Sequence, residues 1–164
     1  MKKLLICRHA KSAWDDPFLD DHDRPLAPRG LKDCPFMAQR LKRKNICPDL
    51  ILSSNANRAQ TTALITAENL HFPKNNIKFT PKLYQATAQS ILSKIRKTQN
   101  TVQTLFIFGH NPGFNELIWL LGGKVDNLPT CGQFGFTFDV ASWEAIDQEN
   151  ATPWFFDYPK KKPG

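Results

Sequence analysis

Residues 2–10 of the chain read KKLLICRHA. Residues 4–7 form a short, dense apolar run, which is typical of a strand buried on both faces of a parallel sheet. Arg8 and His9 follow this run directly. The stretch therefore predicts a central strand whose carboxyl end carries two polar side chains.

Further strands and helices alternate along the rest of the chain. Apolar runs predict strands at 49–53, 77–80 and 101–108, alternating phenylalanines predict one at 134–138, and an edge strand is expected within 141–158. Helical spacing predicts helices over 31–44, from Asn55 or Asn57 to 70, from Thr87 to about 97, and from Pro112, capped by Asn111, to 121. This order indicates an α/β fold, a three-layer sandwich with a mostly parallel central sheet and helices on both faces.

Size and cysteine content favour one domain without metal. The 164 residues suffice for one core of ordinary size, and we expect a single domain over 1–158 followed by a basic tail over 159–164. The four cysteines have neither the spacing of a zinc site nor that of a disulfide framework. No apolar run is long enough for a signal peptide or a membrane span, so we expect a cytoplasmic protein. We also expect a monomer.

The net charge of +7 suggests an anionic partner. Basic residues gather at 40–44, 94–97 and 160–162, which suits an acidic protein surface, a phosphorylated ligand or nucleic acid. Nucleic acid is not expected, because the basic residues are not interleaved with aromatic residues that would stack on bases.

The ends of two other predicted strands are followed by an arginine or a histidine, as the end of the first strand is. Arg58 lies at the start of the helix after the second strand, and His110 comes directly after the fourth. In open α/β sheets, ligands bind outside the carboxyl ends of the strands. Arginine forks and helix N-termini both favour oxyanions, so this set of residues indicates phosphoryl chemistry.

Several motifs carry a family resemblance. Residues 5–12, LICRHAKS, resemble the signature that opens the histidine phosphatase (phosphoglycerate mutase-like) superfamily, with Ala10 where glycine is usual. Together with DRPLAPRG at 23–30, SSNANRAQTTA at 53–63 and GHNPG at 109–113, they are similar to the SixA-type phosphohistidine phosphatases.

The resemblance implies a covalent mechanism. His9 would attack phosphorus, Arg8, Arg58 and His110 would bind the phosphoryl oxygens, and water would hydrolyse the phosphohistidine. Ser12 would add a hydroxyl to the phosphate pocket, and no metal or cofactor is expected. The neighbouring arginines should keep His9 neutral and nucleophilic, while His110, bearing a proton, donates to an oxyanion.

The segment after the third strand bears on the substrate. Many relatives that cleave alkyl phosphates place a glutamate there, but residues 82–86 read KLYQA. An imidazole leaving group is much less basic than an alkoxide, so a phosphohistidine suffers least from the loss of an acid. Asp20, Asp21 and Asp23 remain alternative acids. Only about a dozen residues are available after Tyr84, too few for the helical cap of larger relatives.

These features favour a phosphohistidine on another protein, such as the phosphotransfer domain of a two-component relay or a phosphocarrier, as the SixA resemblance implies. The basic rim would complement an acidic phosphoprotein. Two alternatives stay open: a small-molecule phosphomonoesterase with a loop aspartate as acid, and a noncatalytic module that binds phosphate or nucleic acid. We expect His22 and His71 to be surface residues.

Overall fold

A mixed β-sheet forms the centre of the molecule. The computed structural model describes residues 1–162, and within them the sheet has six strands. These are β1 (Lys2–Arg8), β2 (Leu50–Ser54), β3 (Ile77–Thr80), β4 (Thr104–Gly109), β5 (Gln133–Phe138) and β6 (Ala151–Asp157). The helices are α1 (Pro28–Arg43), α2 (Asn57–Asn69), α3 (Ala88–Arg96) and α4 (Gly113–Leu120).

The strand order is β3-β2-β4-β1-β5-β6, with β1 in the interior of the sheet. The first four strands in this order pair in parallel, whereas β5 and β6 are antiparallel to their neighbours. The mostly parallel sheet and the edge strand near the end of the chain are therefore confirmed.

The alternation of β1 side chains separates two cores, because successive residues of a strand point to opposite faces. Leu4 and Ile6 pack in the cluster that contains the apolar residues of α3 and α4. Leu5 and Cys7 pack on the other face, in the cluster that contains residues of α1 and α2. Helices cover both faces, which confirms the three-layer arrangement. Residues 81–87 connect β3 to α3 directly, with no large helical insertion over the site.

Helix α1 differs from its prediction. It begins at Pro28 rather than at residue 31, because proline suits the first helical turn, where its missing N–H has no partner to lose. Pro35 consequently lies in the interior of the helix, and Leu31 is exposed rather than inward. Gly30 is needed for close approach, since a Cβ there would lie 2.3 Å from the Lys11 carbonyl oxygen.

The start of α4 is shifted by one residue from its prediction. Pro112 is the N-cap residue, and Gly113 is the first helical residue. Asn111 still supports the helix, since its Oδ1 accepts a hydrogen bond from the N–H of Asn115 at 3.2 Å. A Cβ on Gly113 would lie 2.3 Å from the Ala86 carbonyl oxygen, so glycine allows α4 to approach the segment after β3.

Other expectations concern features outside the sheet. No helix within residues 1–162 is long and apolar enough to cross a membrane. The four cysteines are free thiols. The division into a domain over 1–158 and a tail over 159–164 stays a prediction. Within the tail, Lys161 donates from Nζ to the Phe156 carbonyl at 2.5 Å. Pro163 and Gly164 lie outside the described residues.

Candidate active site

The ends of β1 and β4 place two histidines side by side. These strands pair in parallel with Arg8 opposite Gly109, and the His9 N–H donates to the Gly109 carbonyl at 3.0 Å. The rings of His9 and His110 therefore lie 5.2 Å apart between centroids, with 48° between their planes. Both residues are buried, with 7% and 8% of their surface exposed.

Arg58 reaches the same place from the first turn of α2, just beyond the end of β2. It is buried, and its guanidinium carbon lies 6.0 Å from the centroid of the Tyr84 ring. The same tyrosine ring lies 5.4 Å from the ring of His110. Arg8 is the last residue of β1, and its positive charge is close enough to lower the pKa of His9. We name Arg8, His9, Arg58 and His110, which lie together at the carboxyl edge of the parallel strands, the candidate cluster.

One hydrogen bond sets the tautomer of His9. Its Nδ1 lies 2.7 Å from the Ala10 carbonyl oxygen, and a carbonyl can only accept, so Nδ1 carries the proton. In the neutral ring, Nε2 then keeps its lone pair. Burial lowers the pKa of His9 to about 4, with Arg58 and Arg8 adding to the effect. We expected the arginines to keep this ring neutral, but burial is the larger cause.

His110 is neutral as well. Burial, followed by the proximity of His9 and Arg58, lowers its pKa to about 3, so the ring does not carry an extra proton near neutral pH. Its Nε2 lies 2.8 Å from the Ser54 Oγ, which can donate to it. When Nε2 accepts from this hydroxyl, the single proton lies on Nδ1, and His110 can then donate to an oxyanion as a neutral ring.

Two buried nitrogen atoms of the candidate cluster lack partners. Arg8 uses one terminal nitrogen to donate to the Leu128 carbonyl at 3.0 Å. Its Nε and the Nδ1 of His110 are buried and have no hydrogen-bond partner among residues 1–162. A buried polar group left unsatisfied costs about 1–3 kcal/mol. An oxyanion bound beside these groups would supply the missing acceptors.

Sequence reasoning missed how Asp21 and Tyr84 connect to the candidate cluster. Asp21 Oδ2 accepts from the Tyr84 hydroxyl at 2.6 Å and from Arg58 at 3.0 Å, while its backbone carbonyl accepts from Arg58 at 2.7 Å. The hydrogen bond from Tyr84 and those from Arg58 lower the pKa of Asp21 below its usual value, although burial acts in the opposite direction. The carboxylate is therefore ionised and pairs with Arg58.

The remaining polar residues lie around this centre. Ser12 is buried and forms a bridge with Leu26 at the base of the loop before α1; its place in a phosphate pocket stays a prediction. His22 was expected on the surface but is half-buried, with Nε2 2.9 Å from Asn55 Oδ1 and its ring edge-on to Tyr84. His71 is exposed, as expected.

Known proteins resemble the chain in sequence and in fold. The family profile described as "Histidine phosphatase superfamily (branch 1)" matches residues 4–86. An uncharacterized chloroplastic protein of Arabidopsis thaliana is 35% identical over 153 residues, covering 87% of this chain and 69% of that protein.

Two solved structures share the fold along nearly the whole chain. A putative phosphohistidine phosphatase SixA from Agrobacterium tumefaciens superposes with a TM-score of 0.79 at 26% identity, covering 99% of both chains. The protein histidine phosphatase SixA complexed with tungstate has a TM-score of 0.81 at 22% identity, covering 96% of this chain and 97% of that one.

Proposed function

The chain belongs to the histidine phosphatase superfamily, and we propose that it removes the phosphoryl group from a phosphohistidine on another protein through a phosphoenzyme at His9. The family supports a phosphatase-type enzyme. The buried, neutral His9, whose Nδ1 proton is held by a backbone carbonyl, is the single observation that carries the choice of nucleophile. The two-component relay, the cytoplasm and the monomer remain predictions.

The proposed reaction has two displacements at phosphorus. The lone pair on His9 Nε2 forms a bond to phosphorus while the phosphorus–nitrogen bond of the substrate breaks, and its electron pair stays with the substrate imidazole, which takes a proton from solvent. Water then attacks the phosphorus on His9, and the bond to Nε2 breaks. The products are inorganic phosphate and the original His9, with the proton of water released to solvent.

The other members of the candidate cluster would bind the phosphoryl oxygens. Phosphoryl transfer develops charge on three oxygens and depends mainly on positioning and positive electrostatics. The Nε of Arg8 is a buried donor without a partner among residues 1–162, and the Nδ1 of His110 is a second buried nitrogen without one, which donates in the tautomer that carries its proton there. Arg58 adds a buried positive charge, which its pairing with Asp21 partly compensates. An entering phosphoryl group would compete with Asp21 for this guanidinium.

The state of Asp21 supports a phosphohistidine substrate. Of the three aspartates considered as replacement acids, Asp21 contacts Arg58 and Tyr84, but both contacts favour its ionised form. Burial and the nearby carboxylate raise the pKa of Tyr84, whose proton is already donated to Asp21. Neither group is poised to protonate an alkoxide, whereas an imidazole leaves more readily.

The test compares turnover of a histidine-phosphorylated protein, a phosphoserine peptide and an aryl phosphate. We expect the first to be cleaved about a hundredfold or more faster than the peptide, because serine leaves as a basic alkoxide that needs an acid, and faster than the aryl phosphate as well. His9→Ala should abolish turnover, and Arg58→Ala should lower the rate at least about tenfold. His71→Ala, at an exposed histidine, is the matched control.

Faster cleavage of the peptide or the aryl phosphate would instead identify a phosphomonoesterase. Full activity of His9→Ala would refute the assignment of the nucleophile. Salt-dependent binding of nucleic acid without turnover of any phosphorylated substrate would favour the noncatalytic alternative.

A further inference from the structure

The loop after β1 exposes bulky apolar side chains to solvent. Every residue from 14 to 20 is exposed, and we name this segment the 14–20 loop. Phe18 is 94% exposed, Trp14 63% and Leu19 36%. Burial of such side chains against a partner is favourable, because it removes apolar surface from water. Several bulky apolar residues exposed on one loop are typical of an interaction surface.

The 14–20 loop is fixed beside the candidate cluster. At its base, Ser12 bridges to Leu26, and the Ala13 N–H donates to the Pro25 carbonyl at 2.8 Å. On its far side, the next residue is Asp21, which holds Arg58. Whatever brings a phosphoryl group to His9 therefore arrives next to this loop.

The apolar residues are held outward by local contacts. The Phe18 N–H donates to the Asp16 carboxylate at 3.0 Å, which makes a tight turn at the tip. The guanidinium of Arg24 stacks on the Trp14 ring at 3.7 Å and lies 3.7 Å from an oxygen of Asp21. The turn thus presents Phe18 to solvent, while Trp14 is linked to the residue that pairs with Arg58.

We propose that the 14–20 loop is the docking surface for the phosphohistidine-bearing protein, with Phe18 as its central apolar contact. This inference rests on the proposed function. The loop also carries carboxylates at Asp15, Asp16 and Asp20. The partner surface that fits it is an apolar patch bordered by Lys or Arg next to the phosphorylated histidine. This differs from the acidic partner that the net charge suggested, because the charged residues within the 14–20 loop are all carboxylates.

A second copy of the chain fits this surface poorly. A two-fold symmetric dimer joins the same patch on both subunits. Two such loops facing each other would bring their carboxylates together, and like charges across an interface repel and weaken it. A basic-bordered partner has the opposite effect, since it neutralises these carboxylates while covering Phe18.

The test measures kcat/KM for two substrates that share the chemistry and differ in size. One is the histidine-phosphorylated protein that the wild-type chain cleaves fastest, and the other is phosphoramidate, which has no surface to dock. Phe18→Ala should lower kcat/KM about tenfold or more for the protein, mainly through KM, as expected for a central aromatic contact. The value for phosphoramidate should stay within about twofold. Trp119→Ala, at an exposed tryptophan of α4, is the control and should change neither.

Charge reversal tests the chemistry of the partner. Asp15→Lys should lower kcat/KM for the phosphoprotein and reduce its dependence on salt, because the loop loses attraction for basic residues. An increase with Asp15→Lys, together with a loss for Lys94→Glu/Lys97→Glu, would overturn the proposal in favour of an acidic partner docked beside α3.

Other outcomes also decide the matter. Unchanged protein turnover in Phe18→Ala, or an equal loss for both substrates, would overturn the docking surface alone and leave the proposed function standing. A concentration-dependent dimer that Phe18→Ala disperses would assign the loop to self-association instead. If the wild-type chain cleaved no phosphohistidine protein, both the proposed function and the docking surface would fall.

Discussion

Acidification should destabilise the fold through the buried ring of His9. The folded state lowers the pKa of His9 from 6.5 to about 4. Above pH 6.5, the ring is neutral in both the folded and the unfolded chain and contributes no pH dependence. Below it, the unfolded chain binds a proton that the folded chain does not, so the free energy of unfolding falls until about pH 4. At 1.36 kcal/mol per pKa unit, the full loss is about 3 kcal/mol.

The assay is urea unfolding of the parent protein and of His9→Asn at about pH 7 and about pH 4. Asparagine cannot titrate, but its amide can still donate toward the Ala10 carbonyl. The other groups that become protonated in acid are common to both proteins, so His9→Asn should lose about 3 kcal/mol less stability than the parent. Equal losses would refute a neutral, buried His9, as would titration of its ring near pH 6.5 observed by NMR.

Three further changes have defined outcomes. Gly113→Ala should lower the free energy of unfolding in urea by about 1–3 kcal/mol, because the alanine Cβ would lie 2.3 Å from the Ala86 carbonyl oxygen. Unchanged stability would contradict this close contact. Asp21→Asn should lower the inhibition constant of inorganic phosphate about fivefold, because the Asp21 carboxylate competes with phosphate for Arg58. The Asp21 backbone carbonyl still accepts from Arg58 in this variant, so Arg58 keeps its position. Weaker inhibition would show that the carboxylate positions Arg58 instead. Tyr84→Phe should raise the pKa of Asp21, measured by carboxyl NMR, because it removes the largest contribution to the lowered value; an unchanged pKa would count against the Tyr84 hydrogen bond.

Local patterns predicted the parts of the fold and site that local residues determine. The dense apolar run before Arg8 predicted β1. Once β1 and β4 are parallel neighbours in the sheet, their pairing alone places His9 beside His110. The start of α1 was misplaced because Pro28 and Pro35 both suit a first turn. In the folded chain the helix begins at Pro28, and Gly30 in its first turn packs on the Lys11 backbone.

The surroundings of the candidate cluster depend on contacts between distant segments. Three aspartates of the loop after β1 are equivalent in sequence, and only the folded chain places Asp21, rather than Asp20 or Asp23, on Arg58. Tyr84 and His22 carry no motif. They meet because Tyr84 donates to Asp21 in the loop after β1, while His22 of the same loop contacts Asn55. The size of the His9 pKa shift depends on burial, which the flanking arginines do not reveal.

The most direct measurement follows the phosphoryl group onto the enzyme. The chain is mixed with a radiolabelled phosphohistidine protein, quenched in alkaline detergent to preserve phosphohistidine, and digested to locate the label. We predict transient, acid-labile label on Nε2 of His9 and none in His9→Ala. Release of labelled phosphate without any label on the chain, or label on a different residue, would contradict nucleophilic attack by His9.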